Sequence, residues 1–337
     1  MPIKIDIQEN ILLAPFTTFK IGGPAKFFVE VAAEEELLEA LNYAKENNLE
    51  IFVLGGGSNI LVSDEGFSGL VIRIQATSYK IQDTNLECGA GLLLSEAVRL
   101  ARENSLSGLE WAAGIPGAVG GAVRGNAGAY GSEIKNSVEG VKVLEISKIQ
   151  KTITKQIPNS KFQIPNPPAG EAGKFQISNY KLQNCDFSYR NSIFKQNKNL
   201  IVLSCVLNLQ KGDKNEIEGK IREVIRKRTA KIPKESSPGS FFQNPTVSDS
   251  DLIKRFEHDT NCQCRDNKIP AGWLIDELGL RGKRIGDIMV SEKHGNFVIN
   301  LGAGKAQDVV MLSSLIKMKV RDEFGVQLKE EIQYVGF

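Results

Sequence analysis

The chain has 337 residues, of which 41% are hydrophobic and 24% are charged, a composition typical of a globular enzyme with two or three domains. Lys plus Arg number 42 and Asp plus Glu number 40, so the net charge of +2 gives no reason to expect nucleic acid or an anionic membrane as a partner. No apolar run approaches the roughly 18 residues of a membrane span, and no secretion signal is visible, so we expect a cytoplasmic protein.

The first unit is predicted to combine helix and strand. Apolar residues recur at helical spacing within residues 34–48, and the apolar run at 51–54 indicates a buried strand. Residues 55–59 (GGGSN) follow this strand directly, and a second apolar run lies at 70–74. This order predicts a βαβ-like unit with a glycine turn.

The middle of the chain is predicted to contain short strands from residue 79 and a helix around residues 94–101. In residues 114–131 seven of 18 residues are glycine, a density that we expect to exclude both a helix interior and a regular strand. Further strands are predicted at 138–146 and 200–209. Residues 156–176 hold four prolines and indicate a surface insertion or a long hairpin.

The last third is predicted to hold a helix at 216–230, a turn-rich segment at 236–245 and an amphipathic helix at 308–324. Residues 331–335 are predicted to form a closing strand. Since terminal strands often pair with a distant part of a sheet, this strand need not belong to the unit before it.

The scarcity of histidine excludes several kinds of site. Only His258 and His294 occur, which removes HExxH metalloproteases and three-histidine zinc sites. His258 with Cys262 and Cys264 lacks the usual zinc spacing and favours a polar loop, so we expect no metal. The five cysteines lie at scattered spacings, which argues against a disulfide framework.

The glycine-rich segments at 55–59 and 113–131 are the main candidates for a binding site. Only glycine lets consecutive backbone N–H groups converge on a phosphate without obstruction by Cβ. Neither segment is a P-loop or a Gly-x-Gly-x-x-Gly dinucleotide loop. Two such loops without a general base suggest a bound dinucleotide whose own reactivity supplies the reaction. The alternative is that the glycines only make tight turns.

Several strings of the sequence together resemble one enzyme family. They are residues 17–23 (TTFKIGG), 54–59 (LGGGSN), 113–121 (AGIPGAVGG), 126–131 (NAGAYG), 189–192 (YRNS), 238–245 (PGSFFQNP) and 271–276 (AGWLID), with the closing segment around Glu331. In this order they are similar to the UDP-N-acetylenolpyruvoylglucosamine reductases, and the resemblance covers nearly the whole chain. It indicates the shorter class of the family, which lacks an extra tyrosine loop.

The resemblance implies an α+β protein with the FAD-binding fold of the vanillyl-alcohol-oxidase (PCMH-type) superfamily. Two subdomains would bind the flavin, and an α+β domain would bind the substrate. The implied bounds are 1–76 with 326–337 for the first flavin-binding subdomain, 77–213 for the second, including the insertion at about 156–176, and 214–325 for the substrate-binding domain.

The implied activity is reduction of UDP-N-acetylglucosamine enolpyruvate to UDP-N-acetylmuramate by NADPH in peptidoglycan precursor synthesis, with FAD bound noncovalently. The residues that match the family's two flavin loops are Leu54, Gly55, Gly56, Gly57, Ser58, Asn59, Gly114, Ile115, Pro116, Gly117, Gly120, Gly121, Asn126 and Gly128. In these loops backbone donors would replace the water shell of the pyrophosphate.

Three residues match the family's catalytic positions. Arg190 would bind the substrate carboxylate on which negative charge develops, because a guanidinium can bind two oxygens at once. Glu331 would stabilise the same charge in its protonated form. Ser240 would protonate the enediolate that follows hydride transfer. Without the family context, Arg190 would be interpreted as a surface arginine and Ser240 as a turn serine.

Substrate contacts are implied for Tyr130, Asn244, Arg281 and His294. Arg281 stands where family members often have lysine, and His294 lies near a position where some present glutamine. The basic segment 220–234 would either attract UDP or NADPH or form a solvated helix face. We expect a monomer whose partner is this small-molecule substrate.

Two other functions remain open at this stage. One is a flavin oxidase or dehydrogenase of small alcohols or sugars, although no histidine precedes position 258 to tether the flavin. A yellow pellet after acid precipitation would indicate covalent flavin and favour this enzyme. The other is a nucleotide-sugar binding module without catalysis, which the presence of Arg190, Ser240 and Glu331 disfavours.

Overall fold

The computed structural model describes residues 5–146 and 175–337, so the predicted insertion lies almost wholly outside the described residues. Within these ranges no helix is long and apolar enough to cross a membrane. The described residues form three hydrophobic cores. The candidate site residues lie mostly in segments that connect these cores.

The first part of the chain forms a mixed four-stranded sheet with one helix. Its elements are β1 (Gln8–Leu12), a 3₁₀ turn (Ala14–Phe16), β2 (Pro24–Val31), α1 (Glu34–Glu46), β3 (Ile51–Leu54), β4 (Ile60–Val62) and β5 (Phe67–Ile74). The strand order is β1-β2-β5-β3, in which β5 is parallel to both β2 and β3. The predicted βαβ-like arrangement is therefore present, with residues 55–59 at the carboxyl end of β3.

Helix α1 begins as its sequence predicts. Its first turn consists of three glutamates, which are favourable at the positive end of a helix. The Glu36 carboxylate accepts hydrogen bonds from the N–H groups of Ala32 and Ala33 at 2.7 and 3.2 Å. Leu37, Leu41 and Ala44 form the buried face. The helix ends at residue 46, two residues earlier than predicted, because Asn48 has a positive φ of 50°.

The second part is built on a five-stranded antiparallel sheet of order β12-β11-β13-β7-β6. The elements are β6 (Tyr79–Gln82), β7 (Asn85–Gly89), α2 (Leu94–Glu103), β8 (Leu106–Ser107), a 3₁₀ turn (Glu110–Ala112), α3 (Val119–Gly125), β9 (Gly128–Ala129), β10 (Ser132–Glu133), a 3₁₀ turn (Ile134–Asn136), β11 (Val138–Ile146), β12 (Phe175–Lys181), a 3₁₀ turn (Leu182–Asn184), α4 (Ile193–Gln196), β13 (Leu200–Asn208) and β14 (Gln210–Lys211).

Helix α3 corrects the prediction that residues 114–131 contain no helix interior. The N–H groups of Val119 and Gly120 donate to the carbonyls of Leu92 and Ala90, at 2.8 and 2.9 Å. A Cβ on Gly120 would lie 2.7 Å from the Ala90 Cβ, so glycine permits this close approach. Packing against the end of β7 thus outweighs the low helix propensity of glycine.

The third part has four helices and a small antiparallel sheet of order β15-β16-β17 within the described residues. Its elements are α5 (Lys214–Lys231), α6 (Ser250–Thr260), α7 (Ala271–Glu277), β15 (Arg284–Ile285), β16 (Ile288–Val290), β17 (Val298–Asn300) and α8 (Ala306–Phe324). Ile217 and Ile221 of α5 pack in the core of the second part, not of the third. A boundary after α5 would fit this packing better than the predicted one at 213, which stays a prediction.

The closing strand, β18 (Gln333–Val335), returns to the first part of the chain. It pairs in parallel with β4, with Gln333 opposite Ile60 and Val335 opposite Val62. The N–H of Ser63 continues the pairing by donating to the Val335 carbonyl at 2.9 Å. This strand brings Glu331, two residues before it, next to the first glycine loop.

Candidate functional site

The two glycine loops lie against each other. A Cβ added to Gly56 would lie 2.6 Å from the Gly117 Cα, and one added to Gly117 would lie 2.6 Å from the Ser58 Oγ. Gly57 has a positive φ of 62°, and its carbonyl accepts from the Thr18 N–H at 3.0 Å. Because side chains would separate these loops, glycine is required for their contact. A cradle of bare backbone of this kind fits the phosphates of a dinucleotide.

The closing strand orders the end of the first loop. The Asn59 side-chain amide donates to the Glu331 carbonyl at 3.2 Å, and the Gln333 N–H donates to the Asn59 carbonyl at 3.0 Å. Leu54, the last residue of β3, is buried below the loop. The loop and Glu331 therefore hold each other in place.

The residues of the second loop have different surroundings. Among the described residues, none lies within 4 Å of the place where Gly121 would carry a Cβ, whereas Gly120 packs on Ala90. Ile115 and Pro116 lie between Gly114 and Gly117, which both have positive φ. A Cβ on Gly128 would meet the Glu133 side chain at 2.7 Å, so this glycine serves the contact between β9 and β10.

Asn126 is fully buried, and the protein itself uses its amide group. The Nδ2 atom donates to the Ser188 carbonyl at 2.8 Å, and Oδ1 accepts from the Lys135 N–H at 3.3 Å. The residue ends α3 with a positive φ of 44°. In the structure Asn126 therefore positions the turn that carries Arg190.

Arg190 and Glu331 meet at the edge of the loops. The Arg190 Nε lies 2.7 Å from the Glu331 Oε1, and their side chains are only 21% and 13% exposed. This buried Nε is the atom through which Arg190 contacts Glu331. Burial raises the pKa of Glu331, although Arg190 and Lys195 act in the opposite direction. The site thus combines a carboxyl group that tends to hold its proton with a guanidinium that retains donor capacity for a ligand oxygen.

Lys195 and Arg124 are additional cations near this pair. The Lys195 ammonium donates to the Arg190 carbonyl at 2.9 Å, and burial lowers its pKa. Burial also lowers the pKa of Arg124, which lies close enough to repel Lys195. Sequence reasoning missed both residues, because no local pattern shows that these cations are buried.

Ser240 lies in a segment that hydrogen-bonds to residues just before β17 on one side and just before the closing strand on the other. The next residue, Phe241, donates its N–H to the Asn296 carbonyl and accepts from the Glu331 N–H, both at 2.8 Å. Ser240 itself pairs with Phe297. The backbone of Ser240 is thereby fixed one residue from the bond that holds Glu331.

Asn244 joins this segment to the turn that carries Arg190. Its N–H donates to the Tyr189 hydroxyl at 3.4 Å, and its side-chain oxygen accepts from the Ala271 N–H at 3.1 Å. The Lys268 ammonium lies 3.9 Å from the centre of the Tyr189 ring. The structure therefore brings together the segments of Arg190, Ser240, Asn244 and Glu331.

Arg281 and His294 form a second group. Arg281 makes a two-point ion pair with Asp276, in which Nε lies 2.6 Å from Oδ1. Burial lowers the pKa of His294, and its Nδ1 accepts from the Asn296 N–H at 3.1 Å, which leaves Nε2 as the donor. Asn296 also bonds Phe242 at both its amide atoms, which links this group to the Ser240 segment.

Different residues of the basic segment 220–234 fit the two predicted roles, a solvated helix face and a cationic border of the binding site. Arg222 and Lys227 form ion pairs with acids one turn earlier on α5, as expected of a solvated helix face. Arg228 instead hydrogen-bonds Tyr130, and its Nε would lie 3.3 Å from a Cβ on Gly114. Tyr130 is half exposed. One cation of this segment therefore borders the second glycine loop.

Comparisons with known proteins give two domain matches. Residues 25–147 match the model of an FAD binding domain, and residues 231–335 match the C-terminal domain of UDP-N-acetylenolpyruvoylglucosamine reductase. The reductase of that name from Solibacter usitatus is 33% identical over 334 residues, which are 99% of this chain and 98% of the relative. The one from Caldicellulosiruptor bescii is 38% identical over 98% of this chain and 91% of its own length.

A solved structure shows the same similarity. The crystal structure of UDP-N-acetylenolpyruvylglucosamine reductase from Thermus caldophilus is 32% identical to this chain. The match has a TM-score of 0.70 and covers 98% of this chain and 99% of that one. With the FAD binding domain, this structure confirms the predicted α+β flavoprotein fold.

Proposed function

Because the chain belongs to the UDP-N-acetylenolpyruvoylglucosamine reductase family, we propose that it reduces UDP-N-acetylglucosamine enolpyruvate to UDP-N-acetylmuramate with NADPH. The observation that supports this most directly is the buried contact of Arg190 with Glu331 beside the two glycine loops. The reaction belongs to peptidoglycan precursor synthesis, and we place it in the cytoplasm. The monomeric state stays a prediction.

The glycine loops would hold FAD. Gly55, Gly56, Gly57 and Ser58 on one side and Gly114, Gly117 and Gly121 on the other present backbone with little side chain between them. Bound FAD would supply the two-electron chemistry, accepting hydride equivalents from NADPH and passing them to the enolpyruvyl group. The protein's part is to bind and orient the substrate and to move one proton.

Arg190 would bind the carboxylate of the enolpyruvyl group. As hydride reaches the terminal carbon, electron density moves from the carbon–carbon double bond into this carboxylate, which becomes an enediolate. The guanidinium would stabilise that charge through its terminal N–H groups, since its Nε faces Glu331. Glu331 supports the same oxygens only when protonated, and burial favours that form.

Ser240 would complete the reaction by donating its hydroxyl proton to the carbon that bears the carboxylate. Serine is a weak acid, but the enediolate is a strong base. Tyr130, Asn244, Arg281 and His294 would bind the rest of the substrate. For Arg281 the proposal requires that the guanidinium reach a phosphate while it keeps its contact with Asp276.

Anaerobic stopped-flow spectroscopy tests this function. The purified protein should be yellow, NADPH should bleach the flavin absorption, and UDP-N-acetylglucosamine enolpyruvate should restore it with formation of UDP-N-acetylmuramate. UDP-N-acetylglucosamine, which lacks the enolpyruvyl group, is the matched control and should restore nothing. Bleached flavin that oxygen restores but the enolpyruvyl substrate does not would reject the reductase and favour an oxidase.

A further inference from the structure

We propose that Lys195 is a positioning residue for Arg190, which fixes the carbonyl of residue 190 and thereby orients the turn from which the guanidinium meets Glu331. Arg190 has a φ of 55°, which is rare for a residue with a long side chain. The Lys195 ammonium donates to the carbonyl of this residue at 2.9 Å. A charge-assisted hydrogen bond of this kind is stronger than a neutral one, so it can hold the carbonyl in one orientation.

The other contacts close the turn around residues 189 and 190 but do not engage the Arg190 carbonyl. Ser188 and Asn191 bond each other's backbone, and the Asn126 amide donates to the Ser188 carbonyl at 2.8 Å. The buried Ser192 hydroxyl donates to the Arg124 carbonyl at 2.7 Å. These bonds fix the turn on either side of residue 190. Among the described residues, Lys195 is the group that bonds the Arg190 carbonyl.

The charge of Lys195 also bears on the Arg190–Glu331 pair. Lys195 attracts the Glu331 carboxylate and is repelled by Arg124 and Arg190. Burial lowers its pKa, so the ammonium is held in place against a desolvation cost. If the side chain only filled space, its charge would add the desolvation cost and no favourable interaction. An uncharged side chain of similar length would then make the protein more stable.

This inference rests on the proposed function, and half-reaction kinetics test it. Lys195→Met, which keeps the chain length and removes the charge, should slow reoxidation of the flavin by UDP-N-acetylglucosamine enolpyruvate about tenfold or more. Reduction by NADPH should stay within about twofold of the wild type. Lys195→Arg should restore most of the rate. Lys198→Met, three residues further on and exposed, is the matched control.

A double-mutant cycle distinguishes positioning from an independent contribution. In an Arg190→Ala background, Lys195→Met should slow reoxidation by less than about twofold, because the residue that it positions is already absent. A full tenfold loss in that background would overturn the proposal, as would wild-type kinetics of Lys195→Met itself. Equal slowing of both half-reactions would indicate general damage and would also overturn it.

A measurement without cofactor separates this proposal from the proposed function. As pH rises, the cofactor-free Glu331→Gln variant should become more stable to unfolding than the protein with Glu331. This gain in stability should be larger in the Lys195→Met background, because there Glu331 has lost a nearby positive charge and Arg190 is no longer fixed. The charged groups that act on Glu331 are Arg190 and Lys195, Arg124 acts on Lys195, and the titratable Tyr189 hydroxyl also interacts with Glu331. The same gain in both backgrounds would reject the coupling even if the enzyme reduces its substrate.

Discussion

Glu331 has two opposing influences on its protonation. Burial favours the neutral acid, whereas the contact with Arg190 and the nearby Lys195 favour the carboxylate. The net direction of its pKa is upward, so desolvation outweighs the attraction of the two cations. A bound substrate carboxylate would add negative charge beside it and would raise the pKa further. The direction of this shift favours the protonated form, which can donate a hydrogen bond.

The stability of Glu331 variants should depend on pH. Since the pKa of Glu331 is raised in the folded protein, its contribution to stability is complete below about pH 4.5 and is lost as pH rises through the raised value. Glu331→Gln does not ionise, so its melting temperature should rise relative to that of the wild type between about pH 4 and pH 8. Thermal unfolding of both proteins across this range measures the difference. A constant difference would contradict the raised pKa.

Arg190→Lys preserves the charge but would remove the proposed two-point contact with the developing enediolate. We expect turnover to fall by about tenfold or more, because a single ammonium cannot replace a planar guanidinium. Steady-state kinetics with saturating NADPH measure this loss. Arg222→Lys on the exposed face of α5 is the matched control and should have wild-type turnover. Near-normal turnover of Arg190→Lys would show that Arg190 does not bind the carboxylate.

Ser240→Ala should separate the two half-reactions. Bleaching of the flavin by NADPH needs no hydroxyl on the substrate side and should keep the wild-type rate. Reoxidation by the enolpyruvyl substrate should slow by at least about 10²-fold, as is typical when a positioned acid is lost. Ser240→Cys should recover part of this rate, since a thiol can donate a proton from nearly the same place. Slow bleaching with normal reoxidation would make Ser240 a cofactor-side residue.

The secondary structure around the glycine loops could be predicted only in part from the sequence. The strand before residues 55–59 and the helix before it were predictable, because a repeating apolar pattern records which face is buried. Helix α3 was not, since Gly120 is favoured by a close contact with Ala90, which is distant in sequence. Lys195 was missed for a similar reason, because its partner is a backbone carbonyl that only the folded turn presents.

Substitution of one loop glycine should remove cofactor binding. A Cβ on Gly56 would lie 2.6 Å from the Gly117 Cα and 2.8 Å from the Ala118 nitrogen, so the loops must separate in Gly56→Ala. We expect this variant to be purified colourless and to need much higher FAD concentrations for reconstitution. Gly125→Ala, at a helical position with nothing within 4 Å, is the control and should retain flavin. Equal flavin content in both variants would contradict the loop contact.

The molecule as a whole is held together by contacts between residues far apart in sequence. Asp64, after β4, accepts hydrogen bonds from Ala306 and Gln307 at 2.8 and 3.1 Å and thereby caps α8. The side chains of Phe19 and Leu61 pack into the core of the third part. The sequence could not predict this cap, because helix capping is normally sought within a few residues of the helix.

Asp64→Ala should destabilise the protein by about 1 kcal/mol or more, since it leaves two N–H groups of α8 unpaired and removes a negative charge at the start of the helix. Urea unfolding followed by circular dichroism measures this loss. Glu65→Ala removes the same charge from the adjacent exposed residue and is the matched control. If both variants lose equal stability, net charge rather than the cap is responsible.

The pairing of β4 with the closing strand also sets an order of events during folding. Asn59 and Glu331, which bond each other beside this pair, are 272 positions apart, so we expect chain closure over this distance to follow the formation of more local structure. Until then the edge of β4 is unpaired and can recruit a strand from another molecule. A chain that ends at residue 325 would lack the closing strand and would keep this edge open permanently. Such a fragment should aggregate during refolding, and addition of FAD should not rescue it.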